Sequence, residues 1–337
     1  MITEKTPSTG ANWRRAMPWL NLALAVLLIL AGLWYLSSRV SLAAVGNALA
    51  GASPVWVALA VGVVLATLAL KGWRWQLMFP DDSAPVPFRA AFWSTTLGQY
   101  VNLIIPFLRL GEVARLYALN RETGVTPARA LGTLVVEKTL DLIFFGLTIV
   151  FILPLVVLPD YVNQPGPWLL LLATALLVVL YLLAYRTAWV IALWRRVVRP
   201  LPDRLEQWLL RMAVSGLEGL AALRDRRRAL LLLLTSLLVA VLSVLMPYML
   251  FPALGLPLTL LDAALIHVVV TIAITPPSTP AKIGVFNGAV ALMLLQLGVT
   301  DEAAVAGYAI LFYLVAIMPP IALGVVAASR SQWRWSA

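Results

Sequence analysis

Six stretches of this chain are long and apolar enough to cross a lipid bilayer, and that recurrence restricts its folds more than any other feature. The cleanest are Met17–Leu36, Pro54–Leu70, Trp168–Tyr185 and Ala229–Phe251. Leu131–Leu158 and Glu302–Ala328 are also long but carry charges, prolines or both. A helix needs about 20 residues to cross the hydrocarbon core. One such run could be a buried helix of a water-soluble domain, but six in one chain cannot share a single small core. Only 12% of the 337 residues are charged, against about a quarter in soluble domains. The expectation is an all-α polytopic membrane protein forming one transmembrane domain over residues 1–337. Arg14 and Arg15 ahead of the first run resemble the start of a signal peptide. The run is long and leucine-rich, with no small-residue cleavage site after it, so it reads as a retained anchor.

Cations on short loops remain on the cytoplasmic side. Lys5, Arg14 and Arg15 place the N-terminus inside, and Lys71, Arg74 and Arg89 mark a second inside loop. The Arg39–Ser53 loop, the cation-free segment Pro159–Pro167 and the uncharged Phe251–Pro257 belong outside. Arg330 and Arg334 return the C-terminus to the cytoplasm, so the chain is expected in the inner cell membrane. Residues 186–228 hold ten arginines against four acids, interleaved with Trp189, Trp194 and Trp208. That composition suits an amphipathic cytoplasmic linker in the headgroup layer. Nucleic-acid binding is the other reading of a basic patch, but the tryptophans and flanking spans favour lipid.

The sequence repeats itself. Pro106–Ala130 and Pro277–Ala304 each carry prolines, then a cation two residues before a glycine (Arg109 and Gly111; Lys282 and Gly284). Each continues through a short helical run to a G-V-T turn, Gly124–Thr126 and Gly298–Thr300, whose threonine is expected to cap the following helix. Before each copy lies a short apolar stretch, Phe88–Ile105 and Leu258–Thr275. Short, Gly/Pro-broken segments in matching places of two halves point to re-entrant hairpins around a central site. The expected plan is about six full spans plus two re-entrant helical hairpins in an inverted repeat. Its first half is 17–158, its second half is 229–328, and the basic linker 186–228 joins them. Seven to eight full spans is the alternative.

Ionisable groups inside apolar segments face a cavity or a partner. In the first copy these are Arg109, Glu112 and Arg115, the last two spaced to pair on one helical face. Glu137, Lys138 and Asp141 sit in the next long run, with Glu137 and Asp141 on one face. The second copy adds Lys282 and Asn287, preceded by Asp262 and His267. These can be structural ion pairs pinning hairpins to helices. Arg109 and Lys282, each at a proline–glycine break beside an expected helix start, are better suited to hold a phosphate. The lone His267 reads as packed in an apolar helix, and the chain has no cysteine, so no metal site or cofactor is expected.

The segment N-L-I-I-P-F-L-R-L-G-E-V-A-R (Asn102–Arg115), followed by V-V-E-K-T-L-D ending at Asp141, resembles the flippase-like transmembrane region of lysylphosphatidylglycerol synthases and their stand-alone relatives. P-P-S-T-P-A-K-I-G-V-F-N (Pro276–Asn287) is similar to that family's P-x-x-P-G-G-I-G-x-F-E. Ala281-Lys282 replaces the usual Gly-Gly, and Asn287 stands where the family has Glu. The resemblance implies movement of lipids between leaflets, with Asn102, Arg109, Glu112, Arg115, Glu137, Lys138, Asp141, Lys282 and Asn287 as candidate substrate-binding residues. It does not imply lysyl transfer, which belongs to a separate soluble domain in bifunctional members. The expected function is therefore a flippase or scramblase for a phospholipid or polyprenyl-linked lipid with an anionic headgroup, and not an enzyme. No Walker A sequence is present to hydrolyse ATP. The alternative is a membrane-embedded enzyme, or an accessory subunit, acting on lipid-linked substrates in a glycosyl or aminoacyl-lipid pathway. A homodimer or a lipid-modifying enzyme partner fits either reading.

Overall fold

The computed structural model describes residues 42–79, 86–105, 110–152, 186–199, 225–276 and 279–330, with a few further positions between 171 and 214. Among the described residues all regular structure is helical. The helices are α1 (Leu42–Ala50), α2 (Pro54–Leu77), α3 (Phe88–Ile104), α4 (Leu110–Thr123), α5 (Pro127–Ile152), α6 (Thr187–Val198), α7 (Arg226–Ala253), α8 (Leu260–Ile274), α9 (Val285–Gln296) and α10 (Glu302–Arg330). The expected runs Met17–Leu36 and Trp168–Tyr185 fall essentially outside the described residues.

α2, α7 and α10 are each long and apolar enough to cross a membrane. They expose rather than bury many large side chains, among them Leu59, Leu65, Leu234, Val241, Leu314 and Val325. In water such a surface would drive association; around a multi-pass membrane protein it is the face that meets lipid. α5 has 26 residues, about 39 Å of helix, and owes its lower apolarity to the charges it carries inward.

Two boundaries differ from expectation. Arg39–Ser53 is not an extended loop, because Leu42–Ala50 coils into α1 and packs on α10. Lys71 and Arg74 do not lie in a loop: α2 continues to Leu77, and Trp75, Met78 and Phe79 beyond the cations are buried. The apolar pattern simply runs past the charges.

The repeat is visible in three dimensions. α2–α3–α4–α5 run 24, 17, 14 and 26 residues, and α7–α8–α9–α10 run 28, 15, 12 and 29. The two middle helices of each set are shorter than the roughly 30 Å core requires. Exchanging one set for the other preserves most of the helix contacts, α7 on α10 being the one without an equally extensive counterpart. α2 packs on α7; α3 on α4 matches α8 on α9; and α4 on α5 matches α9 on α10. The cross-contacts obey the same exchange, with α10 on α3 answered by α5 on α8, and α10 on α2 by α5 on α7. Each half thus lays its closing helix on the first hairpin arm of the other.

The G-V-T turns are left-handed stops at equivalent points, with Gly124 at φ 74° and Gly298 at φ 85°. After the first, Thr126 Oγ1 accepts from the Arg129 N–H at 3.4 Å, as expected of a cap. After the second the cap is Asp301, not Thr300, because Asp301 Oδ1 accepts from the Ala303 N–H at 2.9 Å. A carboxylate one residue nearer the helix displaces the hydroxyl.

Candidate functional site

The first hairpin closes by contact between backbones. Gly98 of α3 and Gly111 of α4 face each other so closely that a Cβ on Gly111 would overlap the Gly98 carbonyl oxygen and the Asn102 carboxamide. Asn102 Oδ1 accepts from the Gly111 N–H at 2.8 Å, so this side chain fixes the start of α4. That apposition aims the next charged residues of α4, Glu112 and Arg115, at α5.

Glu112 and Arg115 do not pair with each other, although their spacing allows it. Arg115 donates from Nη1 and Nη2 to both oxygens of Glu137 at 2.9 and 2.8 Å, while Glu112 Oε1 lies 2.9 Å from Lys138 Nζ. Two adjacent acceptors on α5 outcompete one on the same helix because the planar guanidinium can engage a carboxylate bidentately. The other face of Arg115 lies 3.7 Å above the Trp75 ring centroid. Trp75 itself donates from Nε1 to Thr133 Oγ1 at 2.9 Å.

Glu137 and Asp141 share a face of α5 but not a partner. Asp141 Oδ1 sits 2.7 Å from Nη2 of Arg74, at a slant outside hydrogen-bond geometry, while Arg74 Nη1 donates to Ser236 of α7 at 3.0 Å. Arg74 therefore links α2, α5 and α7 with only 1% of its side chain exposed. Lys71, one turn earlier, is half-buried within electrostatic reach of Asp141, Arg74, Glu137 and Lys138. His267 of α8 feels the Lys71 charge and meets Phe145 edge-on at 6.4 Å between centroids. Asp262 is turned away to the start of α8, where it completes a capping box with Thr259.

The network has an interior and an edge. Arg74, Arg115 and Glu137 are buried, and the Nε atoms of both arginines have no hydrogen-bond partner among the described residues. Lys138, Asp141 and Glu112 are 51%, 38% and 25% exposed and form the accessible side.

The second hairpin is broken where the repeat predicts it. Between α8 and α9 a 3-10 turn, Pro280–Lys282, carries Ala281 at φ 51° and Lys282 at φ 61°, followed by Gly284 at φ 84°. The turn lies against α3, and Tyr313 of α10 donates to the Ala281 carbonyl at 2.9 Å. Asn287 donates to the Ala309 carbonyl at 3.1 Å and so ties α9 to α10. Arg109 lies outside the described residues.

The structure thus unites Glu112, Arg115, Glu137, Lys138 and Asp141, and it adds Arg74, Lys71 and Trp75, which charge counting had assigned to a loop. The apolar residues Trp75, Leu77, Met78 and Phe79 beyond the cations were the sequence signal that the helix continues. Asn102 and Asn287 tie the hairpins, and Lys282 sits at the break of the second one. A multi-pass helical membrane protein with a charged interior is defined by these features. The chain belongs to the family of the lysylphosphatidylglycerol synthase TM region, whose sequence profile matches residues 22–324. It is also similar to a UPF0104 membrane protein of Methanothermobacter thermautotrophicus, with 25% identity over 308 residues covering 85% of this chain and 90% of that protein.

Proposed function

We propose that this protein moves a phospholipid or polyprenyl-linked lipid with an anionic headgroup between leaflets, and that it does so as a transporter rather than an enzyme. The observation that carries the reading is a charge network at the heart of the helices, closed on one side and open on the other. Four cations, Lys71, Arg74, Arg115 and Lys138, stand against three carboxylates, Glu112, Glu137 and Asp141. Charges at membrane depth are expensive and mark substrate paths by default. A lipid phosphate drawn along the open edge meets Lys138 first, while the tails remain in hydrocarbon. Arg115 and Arg74 hold the carboxylates in place, and their unpartnered Nε–H groups supply donors for water or a headgroup oxygen. Lys282, at the break of the second hairpin, extends the same polar path.

On this reading two re-entrant hairpins sit within about six spans, in halves of opposite orientation, and cation placement puts both termini on the cytoplasmic side of the inner membrane. Transfer through such a plan needs only that the two hairpins rock against the long helices. Membrane lipids are then its partners.

The test is leaflet transfer in proteoliposomes carrying fluorescent phosphatidylglycerol, phosphatidylcholine or a polyprenyl phosphate. The wild-type chain is expected to accelerate transfer, with preference for the anionic lipids. Lys138→Gln is expected to slow transfer by about tenfold, the loss of one charge-assisted contact in the rate-limiting barrier. Unchanged transfer in well-folded Lys138→Gln and Arg109→Ala variants overturns the site, and no transfer by wild type overturns the function.

A further inference from the structure

A second polar feature lies apart from the charge network, at the end of the bundle where α3 begins and α4 and α10 finish. There a cavity of about 220 Å³ is lined by Arg89, Trp93 and Ser94 of α3, Arg121 and Glu122 of α4, and Arg330 of α10, with Ala118 and Ala327 among its walls. Those two alanines are buried, so the cavity exists because their side chains end at Cβ. The volume is several times the ~30 Å³ share of one water.

Arginines at the ends of α4 and α10 are what the negative end of a helix dipole favours, so by themselves they are unremarkable. Two observations distinguish this group. No carboxylate among the described residues lies within ion-pair distance of Arg89, Arg121 or Arg330, even though Glu122 lines the same cavity. Arg330 instead has its guanidinium carbon 4.7 Å over the Trp93 ring centroid, a cation–π contact that leaves its charge unneutralised. In addition, Ser94 is 1% exposed and its Oγ has no hydrogen-bond partner. Thr96, on the same helix, satisfies its hydroxyl on the Phe92 carbonyl one turn back at 2.8 Å, whereas Ser94 and Thr95 do not, and of those two it is Ser94 that lines the cavity. Buried hydroxyls are paired as a rule, and an orphan on a cavity wall marks a missing ligand or water.

We infer that this cavity is a binding site for a phosphate group, held by the guanidinium groups of Arg89, Arg121 and Arg330 with the Ser94 hydroxyl as a donor at its base. Guanidinium forks match phosphate oxygens in pairs, and the tryptophan beside them suits the headgroup layer. The phosphate belongs either to an anionic phospholipid of the adjoining leaflet or to a soluble phosphate compound. The site stands on its own geometry and does not depend on lipid translocation.

The test uses the full chain purified in detergent, with native mass spectrometry for phosphatidylglycerol and phosphatidylcholine and calorimetry for inorganic phosphate and glycerol phosphate. The comparison protein is the triple variant Arg89→Gln/Arg121→Gln/Arg330→Gln, whose exposed positions leave the core intact; elution profile and thermal midpoint check this. Retention of phosphatidylglycerol over phosphatidylcholine, falling about tenfold or more in the triple variant, establishes a lipid headgroup site. Binding of inorganic or glycerol phosphate with the same loss establishes a soluble-ligand site. Ser94→Ala is expected to weaken whichever ligand binds by a few-fold, and Glu122→Gln to strengthen it, since removing a carboxylate from the wall raises the local potential. Equal binding of all four probes by wild type and triple variant overturns the proposal.

Discussion

Arg115 and Glu137, on neighbouring helices, meet through two parallel hydrogen bonds of 2.9 and 2.8 Å inside the bundle, with the indole of Trp75 closing the guanidinium face. The pair determines how α4 lies on α5. Removing either partner leaves the other charge buried and unmatched, which costs about 3–5 kcal/mol where both were desolvated. Arg115→Met and Glu137→Leu are each expected to lower the thermal midpoint in detergent sharply. The double variant, which buries no orphan charge, is expected to recover most of the loss. Single variants as stable as wild type would show that water already solvates the pair.

Glycine at 111 is required for a different reason from glycine at 124. A Cβ at 111 would collide with the Gly98 carbonyl and Asn102, two rigid groups on the facing helix. At 124 the space is open and only the backbone, at φ 74°, resists a side chain. Gly111→Ala should therefore spread the hairpin and cost several kcal/mol, at the upper end of overpacking penalties of about 1–3 kcal/mol. Gly124→Ala should cost only about 1–2 kcal/mol, the usual penalty for a left-handed residue. Gly146→Ala, mid-helix in α5 with nothing within 4 Å, is the unstrained comparison and is expected to stabilise by up to about 1 kcal/mol. Thermal unfolding of the three variants in one detergent checks the order.

Ala281 and Lys282 adopt left-handed backbone at φ 51° and 61°, at the two positions where the family pattern has Gly-Gly. That substitution now has a structural meaning, because each non-glycine residue bears strain of about 1–2 kcal/mol that glycine would not. Ala281→Gly is expected to stabilise the protein by under about 1 kcal/mol, strain relief being partly offset by the freer unfolded chain. Chemical denaturation that shows Ala281→Gly to be destabilising would mean the Cβ has a packing role that outweighs the strain.

How far the sequence discloses this protein depends on the range of the interaction concerned. Long apolar runs and the G-V-T stops are local signals, and among the described residues α7 and α10 begin and end near where they indicate, whereas α2 runs on from Leu70 to Leu77. The cap at Asp301 departs by one residue because two adjacent oxygen acceptors compete for the N–H groups of the first helical turn. Ion-pair partners are non-local: spacing allows Glu112 to meet Arg115, but only the fold brings Lys138 and Glu137 closer. Arg74 reads as a loop residue in the sequence because it is a cation at the end of an apolar run. Nothing short of the packing of α2 on α5 and α7 could show that it is buried.

The exchange symmetry of helix contacts relates the two halves but leaves open how each is threaded through the bilayer, and the proposed function needs opposite threading. Cation placement gives the direction. Arg121 and Arg129 flank the Gly124 turn, whereas Asp301 and Glu302 follow the equivalent turn at Gly298. Cationic short loops remain cytoplasmic, so the first turn should lie inside and the second outside. The chain has no cysteine, so single-cysteine variants at Glu122 and Thr300 report sidedness directly. In right-side-out cells, Thr300→Cys is expected to react with an impermeant maleimide at once, and Glu122→Cys only after the membrane is opened. Labelling of both from the same side would align the halves in parallel, and the two breaks could not then face one another across a shared path.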